Sequence, residues 1–245
     1  MYDLVAEMNW VRDFCSKVHS VRKTIGIPAS QPLRSLTLYK GEELFGLLLS
    51  QYKDIISDEC NVRSVSWEIA FDDDYRFYNI SSEYKLNFKE SGRIFGKDTQ
   101  QIGKLVKAGD VIFHPTYAQV GSFDVPLDLI ETKRMVDNTG NVKSLGEYVN
   151  LVDDESFFVL DIQIYRDLFL QKLAQDIVKL INSKRREVGY DVGFLAFPHL
   201  HLGSDYFEAL KTHEEFIKKN AKLLDYKASR NKTNDEALEL LEFVA

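Results

Sequence analysis

Only two cysteines, Cys15 and Cys60, occur in 245 residues. That suits a reducing cytosol rather than a disulfide-stapled secreted domain. Both stand in apolar surroundings and read as small core residues. No apolar run reaches about 18 residues, so no transmembrane helix is expected. The first residues, MYDLVAEMNW, carry Asp3 and Glu7 and lack the basic region and apolar core of a signal peptide. Net positive charge is absent as well. The balance is −7, the wrong sign for holding nucleic acid by bulk charge. Catalytic signatures are also missing. There is no Gly-x-Ser-x-Gly elbow and no Cys/His nucleophile pair. Asp72-Asp73-Asp74 lacks the glycine and distant glutamate of a calcium loop. Gly92 and Gly96 are too close for a phosphate loop, and Asp98 follows Lys97 where Ser or Thr is needed. His199 and His201, with Cys60 and His213 as distant candidates, do not give the doubly paired spacing of a zinc site. No catalytic residue and no metal ligand is assigned.

What is present is an apolar fraction of 44%, ample for a core in one large or two modest domains. The charge is segregated. Between Phe14 and Lys40 there is no acid, while Lys17, Arg22, Lys23, Arg34 and Lys40 are basic. From Asp110 to Glu155 the balance reverses, with Asp124, Asp128, Glu131, Asp137, Glu147, Asp153 and Asp154 among the acids.

The richest stretch runs from Phe157 to Tyr190. Phe157 to Leu160 read as a strand closed by Asp161. Phe169, Leu173, Ile177, Leu180 and Ile181 then recur every three or four residues, which makes one stripe of an amphipathic helix of roughly 24 residues, about 36 Å long. Lys184, Arg185 and Arg186 sit in or near its last turn, where the helix dipole favours cations, and Gly189 stops it. Two readings of that basic end stay open: a solvated cap and a phosphate contact.

Residues 1–25 read as a helix with the stripe Leu4, Met8, Val11, Cys15 and Val18, ended by Gly26 and Pro28. One greasy helix is not stable alone. None precedes it, so Met1 is expected either to mark a cut or to follow the loss of the domain this helix once packed in. Further on, a strand is expected at Ser35–Tyr39 and a helix at Glu42–Ile56 with Leu44, Leu47, Leu48 and Tyr52 inward. Val65, Trp67 and Ile69 alternate as a strand, and a returning strand is read at Tyr75–Ile80 after the aspartate turn. A helix is expected from Arg93 to Ala108, followed by strands at Val111–Phe113 and Gly121–Leu129 and a turn at residues 138–141. A helix capped by Ser204 should run from Asp205 to Ala221, with a last strand near Leu223. Residues 228–235 read as loose, and 237–244 as a final helical turn or two.

The order of these landmarks resembles the C-terminal region of isoleucyl-tRNA synthetase of the eukaryote-like type, over roughly residues 10 to 225. The first helix, a short basic linker, Pro32-Leu33 and a strand look like the exit from that family's helical anticodon-binding bundle. Asn61-Val62-Arg63 looks like its next strand. The segment Leu86 to Lys97 is similar to its Leu-Gly-Lys-Arg-x-Gly-Lys region. The central helix matches one that carries an Arg-Glu pair early and an Arg-Lys pair late. Here those positions read Gln175-Asp176 and Arg185-Arg186, and an upstream Glu-Gly reads Gln171-Lys172.

The resemblance implies an α+β fold: the terminal helix of a helical bundle, then a mixed domain of largely antiparallel strands with three long helices. It divides the chain into a bundle helix and exit linker at 1–34, an α+β domain at 35–227 and a polar tail at 228–245. It implies a tRNA-binding, cytoplasmic appendage that helps a parent synthetase hold the anticodon arm of isoleucine tRNA. The partners are that tRNA and the rest of the parent, with no membrane and no DNA. ATP and Mg belong to the parent, and this portion needs no cofactor. It should not activate isoleucine, because His199-Leu200-His201-Leu202-Gly203 and Lys227-Ala228-Ser229-Arg230-Asn231 only echo the family's two catalytic motifs. The expected RNA contacts are Lys17, Arg22, Lys23, Arg34, Lys184, Arg185 and Arg186, with Trp10 or Tyr39 stacking an unpaired base. The competing expectation is a docking domain that packs on the parent or another protein through its acidic segment 110–160.

Overall fold

The computed structural model describes residues 4–40, 44–138, 146–191, 193–231 and 234–243, without side chains at 44–48 and 72. It is α+β, and the chain divides into two compact units. One comprises Met1–Val21, Ser35–Ile56 and Ser64–Ile162; the other comprises Arg22–Arg34, Ser57–Arg63 and Gln163–Ala245. Among the described residues no helix is long and apolar enough to cross a membrane.

In the first unit, helix α1 (Leu4–Thr24) turns Val11, Phe14, Cys15 and Val18 inward, the stripe that a 3.6-residue repeat demands. Phe14 meets Phe158 edge-on, with centroids 5.6 Å apart. Phe158 lies in a four-stranded sheet of order β2-β1-β9-β8, where β1 is Leu33–Lys40, β2 Val62–Ile69, β8 Glu147–Leu151 and β9 Ser156–Asp161. Strands β1 and β9 are antiparallel, with Leu36 opposite Leu160 and Leu38 opposite Phe158. Strand β9 is buried from Ser156 to Leu160, which explains its unbroken apolar sequence: both faces are covered. Helix α2 (Leu44–Cys60) buries Tyr52; the inward Leu44, Leu47 and Leu48 lie outside the described side chains.

The rest of this unit pairs β3 (Ile80–Leu86) with β7 (Ile130–Val136) over seven antiparallel positions. A small meander follows from β4 (Ile112–Phe113), β5 (Tyr117–Val120) and β6 (Phe123–Pro126). Helices α4 (Phe88–Phe95) and α5 (Thr99–Lys107) complete it, with Ile102, Val106, Val120 and Val125 in its core.

Local expectations fail here for local reasons. The strand read at Tyr75–Ile80 begins only at Ile80. Residues Asp72–Phe77 instead form a short helix α3, whose entry is fixed by the Phe71 amide donating to the Asp74 carboxylate at 2.8 Å. Aspartates suit a helix N-terminus. The single helix read at 93–108 is two, broken by a 3₁₀ turn at Gly96–Asp98 where Gly96 takes φ +53°. The turn read at 138–141 falls largely outside the described residues. At its start, the Asn138 amide pairs with both the N–H and C=O of Val149, imitating a strand neighbour.

In the second unit, helix α6 (Arg166–Glu187) lays Ala174, Ile177 and Ile181 against a three-stranded sheet of order β11-β10-β12. Strand β10 (Pro198–Leu202) is parallel to β11 (Lys227–Arg230) and antiparallel to β12 (Leu238–Phe243). The tail read as loose and then helical is therefore two strands. Leu238 and Leu240 stand opposite Leu202 and Leu200, and their two-residue spacing is the strand signal. Residues read as a polar tail beyond 227 thus belong to a sheet. Near Leu223 there is only a single bridge to Ala196. The helix read at 205–221 is split into α7 (Ser204–Thr212) and α8 (Glu214–Asn220) by His213, whose backbone leaves the helical region at φ −117°. Gly203, not Ser204, holds the cap position; the Ser204 hydroxyl donates to Asp235 and accepts from Arg230.

Candidate phosphate-facing groove

The basic end of α6 splits into one inward and one outward cation. Ile177, Ile181 and Arg185 are four residues apart, so Arg185 continues the apolar stripe and is 5% exposed. Its Nη1 donates to the carbonyls of Ala221 (3.2 Å) and Lys222 (2.9 Å). Its Nη2 donates to those of Asp191 (3.2 Å) and Phe194 (2.6 Å). A planar guanidinium is suited to this, since its donors diverge in a fixed fork. The helix ends in a Schellman turn: Gly189 takes φ +73°, its amide donates to the Arg186 carbonyl, and the Tyr190 amide donates to the Arg185 carbonyl.

Arg186, one residue on, is exposed. It lines a groove of about 480 Å³ with Lys179, Asn182, Tyr190, Asn220 and Lys222. Val178 and the clasped Arg185 complete the lining, and no carboxylate is part of it. Lys222 holds φ +54°, a conformation kept in place because Arg185 grips its carbonyl. Asn182 reaches the Asn220 carbonyl at 3.3 Å, closing one side. The last carbonyls of a helix carry about half a negative charge, and Arg185, Arg186, Lys179 and Lys222 outweigh it. Lys179 also stands 3.7 Å from Asp176, which pairs more closely with Lys172 at 2.7 Å.

The other expected contacts are distributed differently. Arg22 is 1% exposed and does at the end of α1 what Arg185 does at the end of α6. Its Nη1 donates to the Cys60 carbonyl (3.1 Å), and its Nη2 to those of Pro28 (3.4 Å) and Gln31. Burial lowers its pKa, with Cys60 pulling the other way; an arginine stays charged regardless. The expectation that Arg22 and Arg185 touch phosphate meets two side chains that are turned inward, with their Nη donors on internal carbonyls.

Lys17 and Lys23 are exposed, Lys17 in the first unit and Lys23 in the second. Arg34 is exposed and lies over the Tyr165 ring, 3.3 Å from its centroid. Lys184 pairs with Glu187 at 2.7 Å. Of the two aromatics expected to stack a base, Trp10 is half-buried and Tyr39 is buried. Trp10 is stacked on Phe14, with centroids 5.1 Å apart. Tyr39 is buried flat against Phe157 at 4.7 Å, and its hydroxyl meets that of Tyr78 at 3.1 Å. Burial and then that hydrogen bond push its pKa well up.

Lys179 and Asn182 fall with Arg186 on the polar side of the helix pattern but were not expected as contacts, and neither were Asn220 and Lys222. Lys179 sits one turn before the recognised basic run, on the polar side of the stripe. Lys222 comes from a loop 36 residues after Arg186, and only the fold brings it near.

No protein-family model matches the chain. Curated proteins do. The isoleucine–tRNA ligase of Mycobacterium bovis is 28% identical over 216 residues, 88% of this chain. That of Corynebacterium efficiens is 28% identical over 249 residues, 99% of this chain. That of Rickettsia canadensis is 24% identical over 217 residues. The chain is similar to isoleucine–tRNA ligases. It spans about a fifth of the length of these relatives, 19% of the M. bovis ligase and 22% of the C. efficiens ligase. At 216 residues, the match with the M. bovis ligase is longer than either compact unit and so reaches into both.

Proposed function

We propose that this chain is the tRNA-holding C-terminal portion of an isoleucine–tRNA ligase of the eukaryote-like type. In this reading it steadies the anticodon arm of isoleucine tRNA while activation of the amino acid takes place in the rest of a cytoplasmic parent enzyme. The single observation that carries it is the groove at the end of α6, with Lys179, Arg186 and Lys222 around it and no carboxylate in its lining. An acidic protein holds RNA only where cations are gathered locally. Such a hold is weak and depends steeply on salt, because each phosphate contact releases counterions.

The exposed Lys17, Lys23 and Arg34 would add scattered contacts. The likeness to isoleucine–tRNA ligases supplies the choice of RNA. Fluorescence anisotropy of labelled isoleucine tRNA, titrated from low to moderate salt, tests the proposal. Binding at low salt is expected. The double change Arg186→Gln, Lys222→Gln should flatten the slope of log K against log salt by about 2. Absence of binding at low salt, or an unchanged slope in the double variant, overturns it. A second reading, docking onto the parent enzyme, draws on the exposed carboxylates of Asp110, Asp124, Asp128 and Glu131. It predicts tRNA-independent capture of the parent's remaining portion.

A further inference from the structure

Two exposed faces of the chain carry opposite charge, and each frames an apolar centre. The first continues the α6 groove. Arg185 holds the Phe194 carbonyl with one nitrogen and the Lys222 carbonyl with the other, which sets these two loops side by side. They are tied again where the Ala196 amide donates to the Lys222 carbonyl and the Leu224 amide donates to the Ala196 carbonyl, both at 3.0 Å. Ala196 and Leu223 bridge there, and both are buried. Neighbours along an extended chain alternate in direction, so Leu195 and Leu224 are turned out. Leu224 is 68% exposed, and Phe194 and Leu195 are half-exposed. Phe194 packs on Tyr190 with ring centroids 4.5 Å apart, and Tyr190 lines the groove with Arg186 and Lys222. Apolar surface thus runs into the cations. Among the described residues neither Arg186 nor Lys222 has an acidic partner.

The second face is the outer side of the β4-β5-β6 meander in the first unit. Ile112, Gln119 and Asp124 stand opposite one another across its three strands, so they share a face. Ala118, Val120 and Val125 occupy the other side, in the core. The three outer residues are exposed, Ile112 by 58%. Asp110, two residues before Ile112, is exposed as well. Among the described residues neither Asp110 nor Asp124 has a cationic partner.

We propose that the chain binds a second copy of itself, with the acid-framed face of one copy seated on the base-framed face of the other. Both halves of the contact are present on one chain. Each has unspent charge around an apolar centre, and the signs are opposite. The apolar centres drive the contact at about 25 cal/mol for each Å² taken from water. The charges decide which faces meet. A net charge of −7 makes copies repel in general, so only a local match of sign brings them together. The contact is therefore of the weak, transient kind. It does not depend on RNA binding, but it draws on the cations that a phosphate would use, so the two guests compete.

Sedimentation equilibrium of the whole chain over a concentration series tests this. In dilute salt the average mass should rise above that of one copy. It should fall back in about 0.5 M salt, where charges are screened within roughly 5 Å. One variant combines Asp110→Lys with Asp124→Lys, and another combines Arg186→Glu with Lys222→Glu. Each should stay single at every concentration. All four positions are exposed, and thermal melts check that both variants fold. An equimolar mixture of the two should form a one-to-one complex, because the intact basic face of the first meets the intact acidic face of the second. Leu224→Ser should weaken the association of the unaltered chain about fivefold, the worth of a largely exposed leucine removed from water. A single-copy mass at every concentration, association that strengthens with salt, or a mixture whose members stay apart overturns the proposal.

Discussion

The last turns of α1 and α6 follow the same six-residue frame, and yet their surroundings differ. In α1 the frame is Arg22-Lys23-Thr24-Ile25-Gly26-Ile27; in α6 it is Arg185-Arg186-Glu187-Val188-Gly189-Tyr190. Each has an inward arginine, an outward cation, a glycine at positive φ and an apolar residue whose amide returns to the arginine's own carbonyl. In both, the buried guanidinium clasps carbonyls from the loop just after its helix and from a distant segment: Cys60 in one case, Ala221 and Lys222 in the other. The difference lies outside the frame. Next to Arg186 the distant segment brings Lys222 and Asn220 to a groove that Lys179 already borders. Lys23 stands exposed at its helix end. A basic pair at a helix end is therefore two residues with two jobs, and what decides whether the outer one binds anything is the company it keeps.

The largest effect should come from removing the clasps. Arg22→Met and Arg185→Met should each destabilise the chain by roughly 2–4 kcal/mol in denaturant melts, because several buried carbonyls lose a charged donor at once. Arg→Lys should restore little, since one ammonium cannot replace the diverging fork. If either methionine variant costs under about 0.5 kcal/mol, the size normal for surface changes, the likeness between the two helix ends breaks. Next come the glycines. Gly26→Ala and Gly189→Ala should each cost about 1 kcal/mol by the same melts, the penalty for a Cβ in the left-handed region. Smallest are the outer cations. Lys23→Met and Arg186→Met should each move stability by less than about 0.5 kcal/mol. Of the two, Arg186→Met should cause the larger loss of tRNA affinity at low salt. Equal losses from both would erase the distinction the groove makes.

The stripes of α1 and α6, their glycine stops and the apolar run of β9 were legible because each is a local pattern with one physical cause. The inward role of Arg22 and Arg185 was also written there, at a stripe spacing from Val18 and Ile181, but a charge on an apolar stripe was taken for its neighbour's kind. The alternation Leu238, Leu240 marked β12, and the polar residues before it hid that signal. Lys222, and the meeting of Ile112 with Asp124 on one face of the meander, had no local signature. They depend on strand register and on loop positions that distant segments set.

A guanidinium that grips main-chain oxygens is blind to the identity of the residues it holds. Asp191, Phe194 and Lys222 can each be exchanged in evolution without loosening Arg185, provided their backbones stay in place. The rim of the α6 groove is thereby freed to drift toward new guests, while the arginine beneath it keeps the scaffold unchanged.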